Sequence, residues 1–115
     1  MSNWLMRFRY AFNGLRFSFA SEHSIWIHSL STVAVIILSI VKRVTPIEAL
    51  VILFSVAFVW IAELFNTAIE KLADHVTPGY NNQIKVVKDL SAAAVLIASL
   101  LALAAGLIIF IPKFI

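Results

Sequence analysis

Residues 90–111, LSAAAVLIASLLALAAGLIIFI, contain no charged side chain. About 20 apolar residues in a row are enough to cross the hydrocarbon core of a bilayer as a helix. Water is absent there, so backbone N–H and C=O groups must pair internally, and only helices and closed barrels can span. A second uncharged run, ALVILFSVAFVWIA, occupies 49–62, and a Ser-rich one, WIHSLSTVAVIILSIV, occupies 26–41. The chain as a whole is 62% hydrophobic and 13% charged, with mean hydropathy +0.97, outside the range of soluble domains. The expected class is an all-α integral membrane protein of one domain, residues 1–115.

Pro46, Pro78 and Pro112 divide the chain where helix breaks are expected. Three spans follow, at 25–44, 47–76 and 84–111. The third is long enough to stand alone in lipid. The first is short and Ser-rich and the second is half polar, so both are better suited to protein neighbours. Residues 1–24 read as a surface helix. Trp4, Leu5, Phe8, Phe12, Leu15 and Phe19 recur at helical spacing, with Arg9, Asn13 and Arg16 on another face. That is the pattern of an amphipathic helix lying in the membrane interface. It lacks the compact apolar core and small-residue cleavage site of a secretory signal.

Charge placement gives an orientation. Arg7, Arg9, Arg16, Lys71, Lys85 and Lys88 fall on one side, and Lys42, Arg43 and Lys113 on the other. Basic residues favour the cytoplasm. A multi-pass protein of the cytoplasmic (inner) membrane is expected, with the N-terminus and the 77–83 turn inside. The net charge of +3 then belongs at a membrane surface, not on nucleic acid. There is no cysteine, which excludes disulfides, thiol nucleophiles and cysteine-bound metal.

The second span carries the chemistry. Its apolar half ends in AELFNTAIEKLADH, 62–75, with Glu63, Asn66, Glu70 and Asp74 in succession. At about 100° per residue the first three lie within about 60° on the helix, and Asp74 follows on the same stripe. Glu63 and Glu70 are roughly 10 Å apart along the axis, too far to share a proton. That separation suits one group meeting a substrate while the other holds a metal. A carboxylate kept in hydrocarbon costs several kcal/mol and usually has a function; the alternative is a polar stripe glued to a neighbouring helix. Lys88-Asp89 opens the third span at the same level, where Asp89 complements the helix dipole and Lys88 calls for an anionic partner. Glu22 ends the surface helix at this level too. His23, His28 and His75 lack the spacing of a metal site and read as interfacial residues. No GxxxxGK[ST] loop is present, so bound ATP would need magnesium held by carboxylates. Such a minimal site can still support phosphoryl transfer, which asks mainly for positioning and charge neutralisation.

AELFNTAIEKLADHV followed by VKDLSAAAVLIA resembles the small prokaryotic diacylglycerol kinase and undecaprenol kinase family. The block E-x-x-N-T/S-A-I-E with K-D-x-x-A-A-A-V-L downstream is specific to it, and FNGLRFSF followed by Glu22 matches its amino-terminal helix. The likeness covers residues 6–111. It implies a homotrimer with active sites shared between protomers, each having a surface helix and three transmembrane helices. It implies Mg²⁺- and ATP-dependent phosphorylation of a lipid hydroxyl, on diacylglycerol or undecaprenol. On matching positions Glu63 would be the general base and touch the lipid hydroxyl. Glu22 and Glu70 would hold Mg²⁺ and nucleotide, and Asn66, Lys88 and Asp89 would position phosphates. Tyr10, Tyr80 and Asn81 would lie by the nucleotide. The chain departs from the family at Ser24 and Trp26, where asparagine and arginine are common, and at Asn81, where histidine is.

The reading from another class is a non-enzymatic proton or ion pathway, since intramembrane Glu and Asn also serve relays. Glu22 with Lys88-Asp89 discriminates against it, because a relay needs no such groups at the cytoplasmic level. Reporter fusions after residue 115 should read outside the cell, and fusions within 77–83 should read cytoplasmic; an even number of crossings would defeat this architecture.

Overall fold

The computed structural model describes residues 3–21 and 23–115. Among them are four helices: α1 Asn3–Ser21, α2 His23–Val41, α3 Pro46–Val76 and α4 Asn82–Phe114. Three are long and apolar enough to cross a membrane, at Ser24–Val41, Pro46–Val76 and Asn82–Phe114. The longest dimension is 51 Å, close to the length of a 33-residue helix such as α4 at 1.5 Å per residue. The radius of gyration is 17.1 Å, against roughly 13 Å for a compact globule of this length. The chain is a splayed set of helices, and its apolar side chains mostly face outward.

The turns are specified locally. At the end of α2, Val44 N–H donates to Ser39 C=O at 3.2 Å and Arg43 N–H to Ile40 C=O at 3.3 Å. Those two bonds, with Arg43 at φ 54°, make a Schellman ending in which Arg43 takes the left-handed position that usually falls to glycine. Thr45 then caps α3. Its hydroxyl accepts from Glu48 N–H at 3.1 Å, and the Glu48 carboxylate accepts from Thr45 N–H at 2.9 Å. Pro46 follows in the first turn, where its missing N–H costs nothing. At the other end, Asn81 caps α4 by accepting from Gln83 and Ile84 N–H.

Pro112 does not end the third span. α4 continues through it to Phe114, because a proline in the final turn removes only one backbone bond. The same end is tied down by Lys113, 2.9 Å from the Glu48 carboxylate, and by Lys42, 4.0 Å from the Phe114 ring centre.

Helices α3 and α4 form the main packing unit. Val59, Glu63, Thr67 and Ala73 are its buried residues on α3, and Ser91, Ala98, Ile109 and Phe110 on α4. Small residues at such a seam let backbones approach closely, which is how helices associate in lipid. α2 touches this pair sparingly. Ile25 is its fully buried anchor, and Trp60 Nε1 donates to Thr32 Oγ1 at 2.9 Å. The hydroxyls of Ser29, Thr32 and Ser39 return to carbonyls four residues back. Those three hydroxyls are therefore satisfied inside the helix. α1 joins α2 through Trp26, whose ring meets Phe19 edge-on at 5.5 Å and donates to the Phe19 carbonyl at 3.0 Å.

The Thr45 capping box leads to a stability test. Thr45→Ala should cost about 1 kcal/mol, read as an earlier midpoint on titrating the protein from mild detergent into denaturing detergent. An unchanged midpoint would show that packing alone holds the α2–α3 turn.

Candidate functional site

The polar stripe of α3 meets a different neighbour at each turn. Glu63 comes first, and it is 7% exposed. Ser24 Oγ donates to its Oε1 at 2.8 Å, and His28 Nε2 lies 3.3 Å from its Oε2. Both partners stand on α2, four residues apart and therefore on one face. A carboxylate this buried is sustained only when its oxygens are paired, and α2 supplies a partner for each.

One turn on, the stripe addresses α4. Ser91 Oγ donates to Asn66 Oδ1 at 2.7 Å. Ser91 is buried and Asn66 half-buried. With its carbonyl engaged, the Asn66 amide nitrogen keeps its donors for another group. Glu70 follows, half-buried, and its carboxylate takes no hydrogen bond or ion pair among the described residues. Lys88 on α4 is paired with Asp74 and sits within electrostatic reach of Glu70. The anionic partner that Lys88 calls for is thus inside the chain. Lys85 and Asp89 pair at 2.7 Å, one turn apart on exposed α4 surface. Lys71 Nζ lies 5.3 Å from the Phe17 ring centre, linking α3 to the end of α1.

Glu63, Asn66 and Glu70 thus follow one another along α3, with Lys88 of α4 within electrostatic reach of Glu70. Tyr10 is exposed on α1 and Tyr80 on the α3–α4 turn, where the Tyr80 hydroxyl donates to Asn82 Oδ1 at 2.6 Å; neither hydrogen-bonds to the seam. Asn81 is occupied with helix capping. Glu22 lies outside the described residues. Among those described, no cluster of three or more His, Asp or Glu side chains is arranged to hold a metal. A cation needing only one or two protein carboxylates beside phosphate oxygens, as Mg²⁺ does, fits the unpaired oxygens of Glu70.

Ser24, His28 and Ser91 were not among the sequence candidates for the site. His28 reads as interfacial by composition, yet its ring meets the buried glutamate. The available signal was the four-residue spacing of Ser24 and His28 inside an apolar span, which marks one polar face without naming what it faces.

Residues 9–110 match the family model described as prokaryotic diacylglycerol kinase. The chain is 35% identical over 111 residues to a diacylglycerol kinase of Synechocystis, covering 96% of this chain and 63% of that protein. It is 28% identical over 113 residues to an undecaprenol kinase of Bacillus subtilis, covering 98% of this chain and 92% of the relative. A diacylglycerol kinase of Escherichia coli is 29% identical over 93 residues, or 81% of this chain and 76% of that one. The chain thus spans less than two thirds of the Synechocystis protein and most of the other two.

The Ser91–Asn66 bond should be measurable as a coupling. Ser91→Ala should cost roughly 1 kcal/mol, and the loss should largely vanish in an Asn66→Ala background. Equal losses in both backgrounds would mean that Ser91 acts by packing alone.

Proposed function

This chain belongs to the prokaryotic diacylglycerol kinase family, and on that premise we propose that it transfers the γ-phosphoryl group of ATP to the hydroxyl of a membrane lipid. The observation that carries the reading is the pair of contrasting carboxylates on α3. Glu63 is buried and held from α2, whereas Glu70, roughly two turns away, is half-buried and takes no hydrogen bond or ion pair among the described residues.

In this reading the lipid hydroxyl approaches Glu63 within the membrane. As its oxygen bonds to the γ-phosphorus, the O–H bond breaks and the proton passes to the Glu63 carboxylate. The bond from the γ-phosphorus to the bridging oxygen breaks, and ADP leaves with that oxygen. Glu63 serves as general base where little water competes for the proton. Glu70 would hold Mg²⁺ together with the nucleotide phosphates, with Glu22 assigned to the same task by family likeness. When bound, the ion would neutralise phosphate charge. The free amide donors of Asn66 and the Lys88 ammonium would orient phosphate oxygens, Lys88 at some cost to its pairing with Asp74. Asp89, Tyr10, Tyr80 and Asn81 have the weaker claim, resting on position in the family pattern.

A cavity of about 550 Å³ lies between α2, α3 and α4, lined by Val35, Leu38, Val59, Leu103 and Phe110 among others, with His28 at its edge. Its apolar walls suit an acyl or isoprenoid chain, so diacylglycerol and undecaprenol are both candidate acceptors. The exposed apolar faces of α1 and α2 fit an interfacial helix and a homotrimer with shared sites, in the inner membrane with the N-terminus cytoplasmic.

The test uses purified protein with Mg²⁺, ATP and both lipids in parallel. Glu63→Gln should lower turnover by on the order of 100-fold or more while leaving Mg-nucleotide binding near the parent value by calorimetric titration. Glu70→Gln should weaken that binding first, with activity partly recovered at high magnesium. If both variants phosphorylate lipid at parent rates, the stripe is packing and the kinase reading fails.

A further inference from the structure

The two oxygens of Glu63 are held from one helix. Ser24 Oγ donates to Oε1 at 2.8 Å and the His28 ring meets Oε2 at 3.3 Å. A general base must be ionised and an ionised carboxylate only accepts hydrogen bonds, so that role for Glu63 requires the hydrogen on the contacting Nε2 of His28. We propose that His28 is a positioning residue for the general base: its Nε2–H fixes Glu63 in the rotamer that meets the acceptor hydroxyl and sustains its negative charge at membrane depth. This rests on the lipid-kinase reading.

Three observations support the assignment. The side chains of His28 and Glu63 are 20% and 9% exposed, so the bond forms where water competes little and each contact counts for more. A carboxylate has about four lone-pair sites, and Ser24 and His28 use two, which leaves room for a lipid hydroxyl. Finally, among the described residues lining the cavity between α2, α3 and α4, His28 is the sole ionisable one. It therefore stands between the apolar chamber and the base.

No other described ionisable group pairs with either partner. On α3 the next are Glu70 and Lys71, about two turns away. On α4, Lys88 pairs with Asp74 and Lys85 with Asp89, and Ser91 faces Asn66. On α1 the nearest cation in sequence, Arg16, is exposed. Among the described residues, the Glu63 carboxylate is thus answered from α2 alone.

The experiment uses the full chain in mixed micelles. His28→Leu should lower kcat by on the order of 100-fold, the scale expected when a reacting group is misplaced by about an ångström, with KM for ATP and lipid nearly unchanged. His28→Gln, whose amide nitrogen reaches the place of Nε2, should recover most of kcat. His28→Asn, whose amide falls short, should not. A parent-like kcat in His28→Leu, or a His28→Gln variant that folds yet is as slow as His28→Leu, overturns the proposal. A second readout does not depend on turnover: in protein labelled with ¹⁵N-histidine, Glu63→Gln should shift the His28 Nε2 resonance. No shift in an active parent background overturns the proposal and leaves the kinase reading standing. An inactive parent whose His28 resonance still responds to Glu63→Gln supports the pairing and overturns the kinase reading.

Discussion

A carboxylate buried at membrane depth must have both oxygens satisfied, or the several kcal/mol of desolvation it carries go unanswered. In this protein the answer comes from Ser24 and His28 on α2. Much else follows from that requirement. α2 is short, and it touches the rest of the bundle sparingly. Its register against α3 is nevertheless constrained, because a shift of one turn would take both donors away from Glu63. The Trp60–Thr32 bond and buried Ile25 hold the same register from either side. Packing and polar pairing agree on one placement of the helix.

The α3–α4 pair supplies the stiffness against which α2 is placed. Its buried residues include small and polar ones, Thr67 and Ala73 on α3 and Ser91 and Ala98 on α4. In lipid no hydrophobic force drives helices together, so close backbone approach and interhelical hydrogen bonds do. Both ends of the seam are secured. Lys113 meets Glu48 at one and Lys88 meets Asp74 at the other. Between these clamps the site is built on helix and not on loop, which suits a reaction that depends on positioning.

Division of labour along α3 follows from helical geometry. Residues three and four apart share a stripe, but each successive turn faces a slightly rotated direction. Glu63 therefore falls to α2, Asn66 to α4, and Glu70 to neither. The leftover carboxylate is the one whose oxygens take no hydrogen bond or ion pair among the described residues. The same rotation explains why Lys88 finds Asp74 and not Glu63. One stripe thus yields one held carboxylate and one open one without any special backbone feature.

How much of this was legible in the sequence depends on range. Long uncharged runs determine the all-helical class suited to span a membrane, because a helix pairs its backbone within one such run, whereas barrel strands are about 10 residues long and alternate apolar with polar. Pro46 marks the break before α3, the Thr45–Glu48 and Asn81 caps were seen only in the structure, and the Glu63–Asp74 stripe follows from periodicity alone. Pro112 misleads because a proline stops a helix only when enough helix remains beyond it to lose. Pairings across the fold were not legible: His28 with Glu63, Ser91 with Asn66 and Lys88 with Asp74 are separated by 35, 25 and 14 residues. Local rules act over one helical turn, whereas these contacts depend on how three helices rotate and slide against one another. Only the packed structure decides that, and it turns a histidine with no evident metal site into the neighbour of the buried glutamate.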